Sequence, residues 1–540
     1  MELKKLVESG LGTVGIEFGS TRIKAVLTDD NFNPVASGDY VWENQLQDGI
    51  WTYPEEQFFE GLQACFAALK RDVLEKTGVK LTKLRALGIS GMMHGYLAFD
   101  KDGKILVPFR TWRNTITGDA AKELSDLFHF NVPQRWTCSH VRQAVLNREP
   151  HLAELATVHT LAGYIHYRLT GERVVGTGEA SGILPLNAET LDYDDEMISI
   201  LDRLNAASGY SFKMREILPK VVNAGEYAGL LTEEGARLLD PTGALQPGCI
   251  VAPPEGDAGT GMVATNSVRK RTGNVSAGTS VFSMVVLEKP LSDYYEEIDM
   301  VTTPDGAPVA MVHCNNCTSD LNAYVGLFRE FLTTLGLPAD NSAIYTALFN
   351  AALSGDKDCG GVVSLNYVSS EPVTHIADGR PLLTRTQDAK MTLPNFMRAQ
   401  LYSAIAALKA GNDILLKKEN VPVDRLFGHG GYFKTKGVGQ QILADALNVP
   451  VSVMKTAGEG GPWGMAVLAA YAAYCEEQKA NGEKSGKIEK LSLPDYLDKC
   501  VFAGNSGETL NPDPEGVEGF DRFMKRYQAC MNAEKALTGL

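Results

Sequence analysis

The chain is poor in the features that would place it outside the cell or on a nucleic acid. Its nine cysteines are scattered without framework spacing, and the odd count fits free thiols in a reducing cytosol. Cys314-Asn315-Asn316-Cys317 has zinc-like spacing, but no second pair lies nearby. No apolar run approaches transmembrane length, and the N-terminus lacks the apolar core of a signal peptide. A cytoplasmic location is therefore expected, and Asn274-Val275-Ser276 and Asn316-Cys317-Thr318 read as chance matches to the glycosylation pattern. Positive charge is in deficit: the formal net charge of -15 argues against nucleic acid and anionic membrane surfaces as partners. No Gly-x-x-x-x-Gly-Lys-Ser/Thr string occurs, which argues against a P-loop NTPase.

What is present is an ordinary globular composition, 44% hydrophobic and 22% charged. At 540 residues the chain is too long for one core, so two domains are expected. Thr13 to Phe18 and Arg22 to Thr28 read as strands around the turn Gly19-Ser20-Thr21, with a third extended run from Pro34 to Trp42. A helix starting at Pro54-Glu55-Glu56 carries Phe58, Phe59, Leu62, Phe66 and Leu69 on one face. Leu84 to Ser90 then reads as a short buried, parallel strand. The same order recurs: Gly273 to Ala277 and Val281 to Leu287 around Gly278-Thr279-Ser280, a third strand from Ala307 to His313, and a helix from Asp320 to Leu335. Gly361 to Val368 is expected as the strand that closes the repeat. Further β–α alternations reach a helix beginning near Glu459-Gly460-Gly461-Pro462 and indicate an α/β fold. The expected boundaries are 10–267, 268–480, and a polar loop with a helical appendage over 481–540.

The chemistry concentrates in small-residue turns. Gly19-Ser20-Thr21, Gly278-Thr279-Ser280 and Gly430-Gly431 each follow a strand, and the first two occupy matched places in the two halves. Such turns aim backbone N–H groups at an anion, and Lys24 or Arg22 adds charge to the first. Two acids stand beside them, Glu17 and, in the run Pro253-Pro254-Glu255-Gly256-Asp257-Ala258-Gly259, Asp257. One could hold Mg²⁺ while the other accepts a hydroxyl proton. Ser90-Gly91-Met92-Met93-His94-Gly95 ends a strand, where ligands of open α/β sheets gather, and His94 could bind a polyol. Thr111-Trp112-Arg113-Asn114 sets an aromatic face beside polar donors, a common grip on a sugar.

These segments, in this order, resemble the FGGY carbohydrate kinases of the actin-like ATPase superfamily. Gly15 to Val26 looks like the family's first phosphate loop, and Gly88 to Gly95 like the sugar-contact strand end of the xylulose kinases. Gly256 to Gly259 with Gly278-Thr279-Ser280 looks like the catalytic-base loop and second phosphate loop. Gly428 to Tyr432, followed by Gln441 to Asp445, looks like the adenosine segment. The resemblance implies two actin-like (ribonuclease H-like) domains from a duplicated βββαβαβα unit, with the active site in the cleft between them. It implies ATP and Mg²⁺, with Asp257 as general base and as metal ligand with Glu17. Met93, His94 and Trp112 become sugar contacts. Gly19, Ser20, Thr21, Lys24, Gly278, Thr279, Gly430 and Gly431 become nucleotide contacts. A homodimer is compatible with the family.

Departures from the family pattern gather in the sugar-binding half. Glu17 stands where aspartate is usual, Met92 where glutamine is common, Asn114 where many members have aspartate, and His140 near a usual lysine. Met93-His94 also replaces the Arg-Glu of glycerol kinases. The expected activity is transfer of the γ-phosphate of ATP to the terminal hydroxyl of a ketopentose, xylulose or ribulose. The alternatives are a deoxyketohexose or tetritol substrate, or a nucleotide-binding regulator without catalysis.

Overall fold

Strand β1 (Thr13–Phe18) is buried along nearly its whole length, as its apolar alternation with small residues requires of a central strand. The computed structural model describes residues 2–454, 460–485, 490–504 and 507–537. In it, β1 pairs antiparallel with β2 (Arg22–Thr28), which pairs antiparallel with β3 (Pro34–Val41). On its other side β1 pairs in parallel with β4 (Ala86–Gly91), and β4 pairs in parallel with β5 (Ile250–Val251) and β6 (Glu255–Gly256). The helix Glu55–Thr77 buries Phe58, Leu62, Phe66 and Leu69 in one cluster with Ile16, Ile23, Leu27 and Ile89 of the sheet. It follows Pro54, carries Glu55 and Glu56 in its first turn and stops at a left-handed Gly78, as its sequence signals predict.

Two units divide the chain. One comprises Met1–Val268, Met300–Pro308 and Glu459–Ala503; the other comprises Arg269–Asp299, Val309–Gly458 and Gly504–Leu540. This differs from boundaries drawn along the sequence, because the helix Gly460–Ser485 packs on the first unit's sheet. Glycine makes that packing possible: a Cβ at Gly15 would lie 2.1 Å from the Pro462 carbonyl oxygen and 2.4 Å from the Ala466 nitrogen. The helix also runs through Ser485, into the start of the 481–540 stretch, where a polar loop is expected; residues 486–489 lie outside the described residues.

The second unit repeats the plan. Strand β7 (Thr272–Ala277) pairs antiparallel with β8 (Val281–Val286), which pairs antiparallel with β9 (Pro308–Cys314). The strand beside β7 in parallel is not Gly361–Val368, as expected, but β12 (Arg425–His429). Only Val362–Leu365 of the expected run is strand, here β10, and it pairs antiparallel with β11 (Leu382–Arg385) in a separate ribbon. A fully buried apolar run shows that it is a strand without showing its partner.

Beyond β12, the sheet continues through β13 (Val451–Val453) to β14 (Glu508–Leu510). The helix Pro514–Ala536 sets Phe520 against Tyr402, ring centroids 4.2 Å apart, and joins Tyr527 to Tyr367 through a 2.6 Å hydroxyl bond. The C-terminal segment thus belongs to the second unit's core and is not an appendage. Both units have the meander with a parallel fourth strand that the actin-like fold predicts.

All nine cysteines are unpaired. Among the described residues no helix is long and apolar enough to cross a membrane. Asn274 and Asn316 are buried, so neither glycosylation match presents its amide to solvent.

Candidate active site

Three neighbouring parallel strands of the first unit end side by side. Phe18 of β1 faces Gly91 of β4, and Gly91 faces Gly256 of β6. Just beyond these ends stand Met92 to His94 and Asp257, which opens the helix Asp257–Ala264. Met92 donates its N–H to the Phe18 carbonyl at 3.0 Å. The backbone N–H groups of Met93 and Ala258 donate to the Asp257 carboxylate. Gly256 is required here: a Cβ would meet Met93 Cγ at 2.1 Å and Glu179 Oε2 at 2.5 Å. Asp257 and Met93 are therefore in contact, and burial pushes the Asp257 carboxyl up to about 6 despite the N–H donors.

His94 is buried in a left-handed conformation (φ 70°), and its Nδ1–H donates to the Gly182 carbonyl at 3.1 Å. Its ring stacks on Trp136. The loop that carries Met93 and His94 is thus braced from beneath and lies against the carboxylate.

Glu17, on β1, faces Lys24 across the hairpin and Ser90 across the parallel pair. Its Oε1 lies so near the first turn of helix Gly460–Ser485 that a Cβ on Gly461 would come within 2.0 Å. Burial, then the charge of Asp257, push the Glu17 carboxyl up to about 7, partly offset by Lys24. Glu17 and Asp257 therefore belong to one electrostatic site, as the sequence suggested.

Two acids escaped the sequence reading. The Glu255 carboxylate accepts the N–H of Gly178 at 3.1 Å and of Glu179 at 3.0 Å, and burial pushes it up to about 8. Glu179 is fully buried and raised by burial and by the charges of Glu255 and Asp257. The signal was present in Pro253 to Asp257, where Glu255 stands two residues before Asp257, but the approach of Glu179 depends on tertiary folding.

Trp112 is 39% exposed, on the loop between β4 and the helix Gly118–Phe128. The indole that meets a cation nearby is Trp51, with the Arg113 guanidinium 3.7 Å from its ring centroid. Asn114 accepts the Trp51 N–H at 2.9 Å and donates to the Trp51 carbonyl at 2.8 Å, so this departure from aspartate clamps the strand Ile50–Thr52. His140 is buried and stacked on Tyr96, and burial with Arg110 holds its imidazole down at about 3, neutral.

Gly19, Ser20 and Thr21 form the β1–β2 turn, with Ser20 and Thr21 exposed at its tip and Lys24 exposed on β2. In the second unit, β7 and β12 run in parallel register to Ser276 and His429, which brings Gly278-Thr279 beside Gly430-Gly431. The approach is close: a Cβ on Gly430 would lie 2.4 Å from the Ala277 carbonyl oxygen. Gln441 and Asp445, in the stretch that resembles the adenosine segment, are engaged by the C-terminal segment: Gln441 donates to the Asn511 carbonyl, and Asp445 accepts the Asp513 N–H at 2.8 Å.

The duplicated fold agrees with comparison to known proteins. Over 526 residues the chain is 21% identical to the xylulose kinase of Haemophilus influenzae, covering 95% of this chain and 98% of that one. Its structure is similar to that of xylulose kinase from Rhodospirillum rubrum (TM-score 0.75, 20% identity, 97% of this chain and 98% of that one). It is equally similar to gluconate kinase from Lactobacillus acidophilus (TM-score 0.75, 19% identity, with the same coverage). Residues 13–258 match the N-terminal domain, and residues 273–473 the C-terminal domain, of the FGGY family of carbohydrate kinases. The chain belongs to that family, and it is a carbohydrate kinase.

Proposed function

We propose that this kinase transfers the γ-phosphate of ATP to the terminal hydroxyl of a ketopentose, xylulose or ribulose, in the cytoplasm. The observation that carries this reading is the Asp257 carboxylate against the Met93–His94 loop, with its carboxyl raised to about 6. A base must be ionised at working pH yet basic enough to take a proton late in a loose transition state, and a value near 6 meets both needs. Asp257 accepts the sugar hydroxyl proton on a carboxylate oxygen as the new O–P bond forms and the bond from the γ-phosphorus to the β-phosphate oxygen breaks, releasing ADP. Met93, His94 and Trp112 are the proposed sugar contacts. Gly19, Ser20, Thr21 and Lys24 in the first unit, with Gly278, Thr279, Gly430 and Gly431 in the second, are the proposed nucleotide contacts. The wide coverage of the Haemophilus xylulose kinase supports a ketopentose.

Glu17 and Asp257 also fit a divalent cation. They are two carboxylates in one site, and the charge of Asp257 works against ionisation of Glu17. Among the described residues no group of three or more protein donors forms a metal cage. That donor set suits Mg²⁺, which takes one or two carboxylates and fills its remaining positions with phosphate and water. When bound, the ion supplies neutralisation of phosphate charge.

The test is ADP release measured over ketopentoses, deoxyketohexoses, tetritols and gluconate. The highest kcat/KM is expected on xylulose or ribulose. Strong turnover confined to sugars outside the ketopentoses would overturn the substrate class.

A further inference from the structure

In the β1–β2 turn, three consecutive carbonyls are each held by one of two aromatic residues. Trp42 Nε1–H donates to the Gly19 carbonyl at 2.7 Å, and the Tyr53 hydroxyl donates to the Ser20 carbonyl at 2.6 Å. The Trp42 backbone N–H donates to the Thr21 carbonyl at 3.3 Å. Trp42 and Tyr53 are 4% and 2% exposed and stack with ring centroids 4.1 Å apart, so both donors are fixed. Phe18 and Phe58 pack edge-on against Trp42 and hold the pair in place.

Across a trans peptide the C=O of one residue and the N–H of the next point in opposite directions. Anchoring the Gly19 and Ser20 carbonyls toward the aromatic pair therefore turns the Ser20 and Thr21 N–H groups away from it. Among the described residues, neither N–H meets a protein acceptor. Two fixed, outward N–H groups on an exposed turn form the concavity that backbone uses for anions.

The second unit solves the same problem with different groups. There the Gly278 carbonyl accepts the Thr318 hydroxyl at 2.7 Å and the Thr318 N–H at 3.1 Å, while the Thr279 carbonyl accepts the Cys317 N–H at 3.0 Å. In both units a donor set begins just after the third meander strand, Trp42 after β3 and Cys317-Thr318 after β9. The recurrence of carbonyl anchoring at matched places, with unrelated side chains, marks it as a requirement of the turn.

We propose that Trp42 and Tyr53 are positioning residues for phosphoryl transfer, a clamp that keeps the Ser20 and Thr21 N–H groups presented to the phosphates of ATP. The proposal rests on reading the β1–β2 turn as a phosphate loop. Tyr53→Phe removes one donor and keeps the stack, and Trp42→Phe removes the other. With the best sugar as acceptor, Tyr53→Phe is expected to lower kcat/KM for ATP by roughly fivefold and the double variant by roughly twentyfold or more, as loss of one and two net hydrogen bonds implies. Sugar affinity by calorimetry is expected to stay within about twofold, and the melting temperature of Tyr53→Phe to change little. A parallel variant, Ser20→Glu, sets a carboxylate at the turn tip and tests the underlying reading; it is expected to abolish use of ATP. If Ser20→Glu abolishes it while the aromatic variants keep wild-type kcat/KM for ATP, the clamp is wrong and the phosphate loop stands. If Ser20→Glu leaves KM for ATP unchanged, the phosphate-loop reading fails. A parallel loss of sugar affinity and melting temperature in Tyr53→Phe would reduce the pair to a general packing role and overturn the proposal.

Discussion

Asp257 and Glu17 show how burial raises ordinary carboxylates toward neutral pH. Each is partly enclosed, each is raised, and the charge of Asp257 adds to the rise of Glu17. A carboxylate base acts only when ionised, so a raised Asp257 is active above its pKa and is lost as pH falls through about 6. The logarithm of kcat/KM for the sugar is therefore expected to rise with pH and level off between about pH 6 and 7. A profile flat down to pH 4.5 would show a base at its ordinary value or none at all. Asp257, Met93 and His94 were legible in the sequence because glycine-rich strand ends announce close backbone approach. Glu179 was not: nothing in Gly178-Glu179-Ala180 says that folding will bring this side chain beside Gly256.

At the scale of elements, the two hairpin meanders could be read almost to the residue, because β1, β2 and β8 are rich in β-branched and apolar residues and are bounded by small-residue turns. The parallel partner of β7 could not, since β10 and β12 are both short buried apolar runs and only tertiary packing separates them. Asn114 illustrates the same limit. Its identity looked like a departure in the sugar half, whereas its amide both donates to and accepts from the Trp51 backbone. Asp would keep the acceptor and lose the donor. Asn114→Asp is expected to cost about 1–2 kcal/mol, measured by urea unfolding, because a carboxylate oxygen replaces the amide donor beside the Trp51 carbonyl, which then keeps only Thr111 as donor. A change below about 0.3 kcal/mol would show that water replaces the amide without penalty.

For the whole molecule, the order of segments along the chain differs from their grouping in space. The helix Gly460–Ser485 follows the second unit's strands in sequence but packs with the first unit, and the chain then returns to the second unit with β14 and the helix Pro514–Ala536. That C-terminal helix is weakly apolar overall, which is why it read as an appendage. Its contribution lies in a few aromatic residues, Phe520, Phe523 and Tyr527, all buried. Phe520→Ala is expected to destabilise the second unit by about 3–5 kcal/mol and to appear as a lowered unfolding transition. A loss under 1 kcal/mol would return the helix to a peripheral role.

The proposed phosphoryl transfer depends on Asp257 as the group that takes the sugar's proton. Its most direct test is turnover by Asp257→Asn with saturating ATP and the best ketopentose, alongside calorimetric binding of that sugar. Asparagine keeps the shape and cannot accept the proton as a carboxylate does, so ADP release is expected to fall by about 10³-fold or more, with sugar affinity within about tenfold of wild type. Turnover within tenfold of wild type would contradict the assignment of Asp257 as the base.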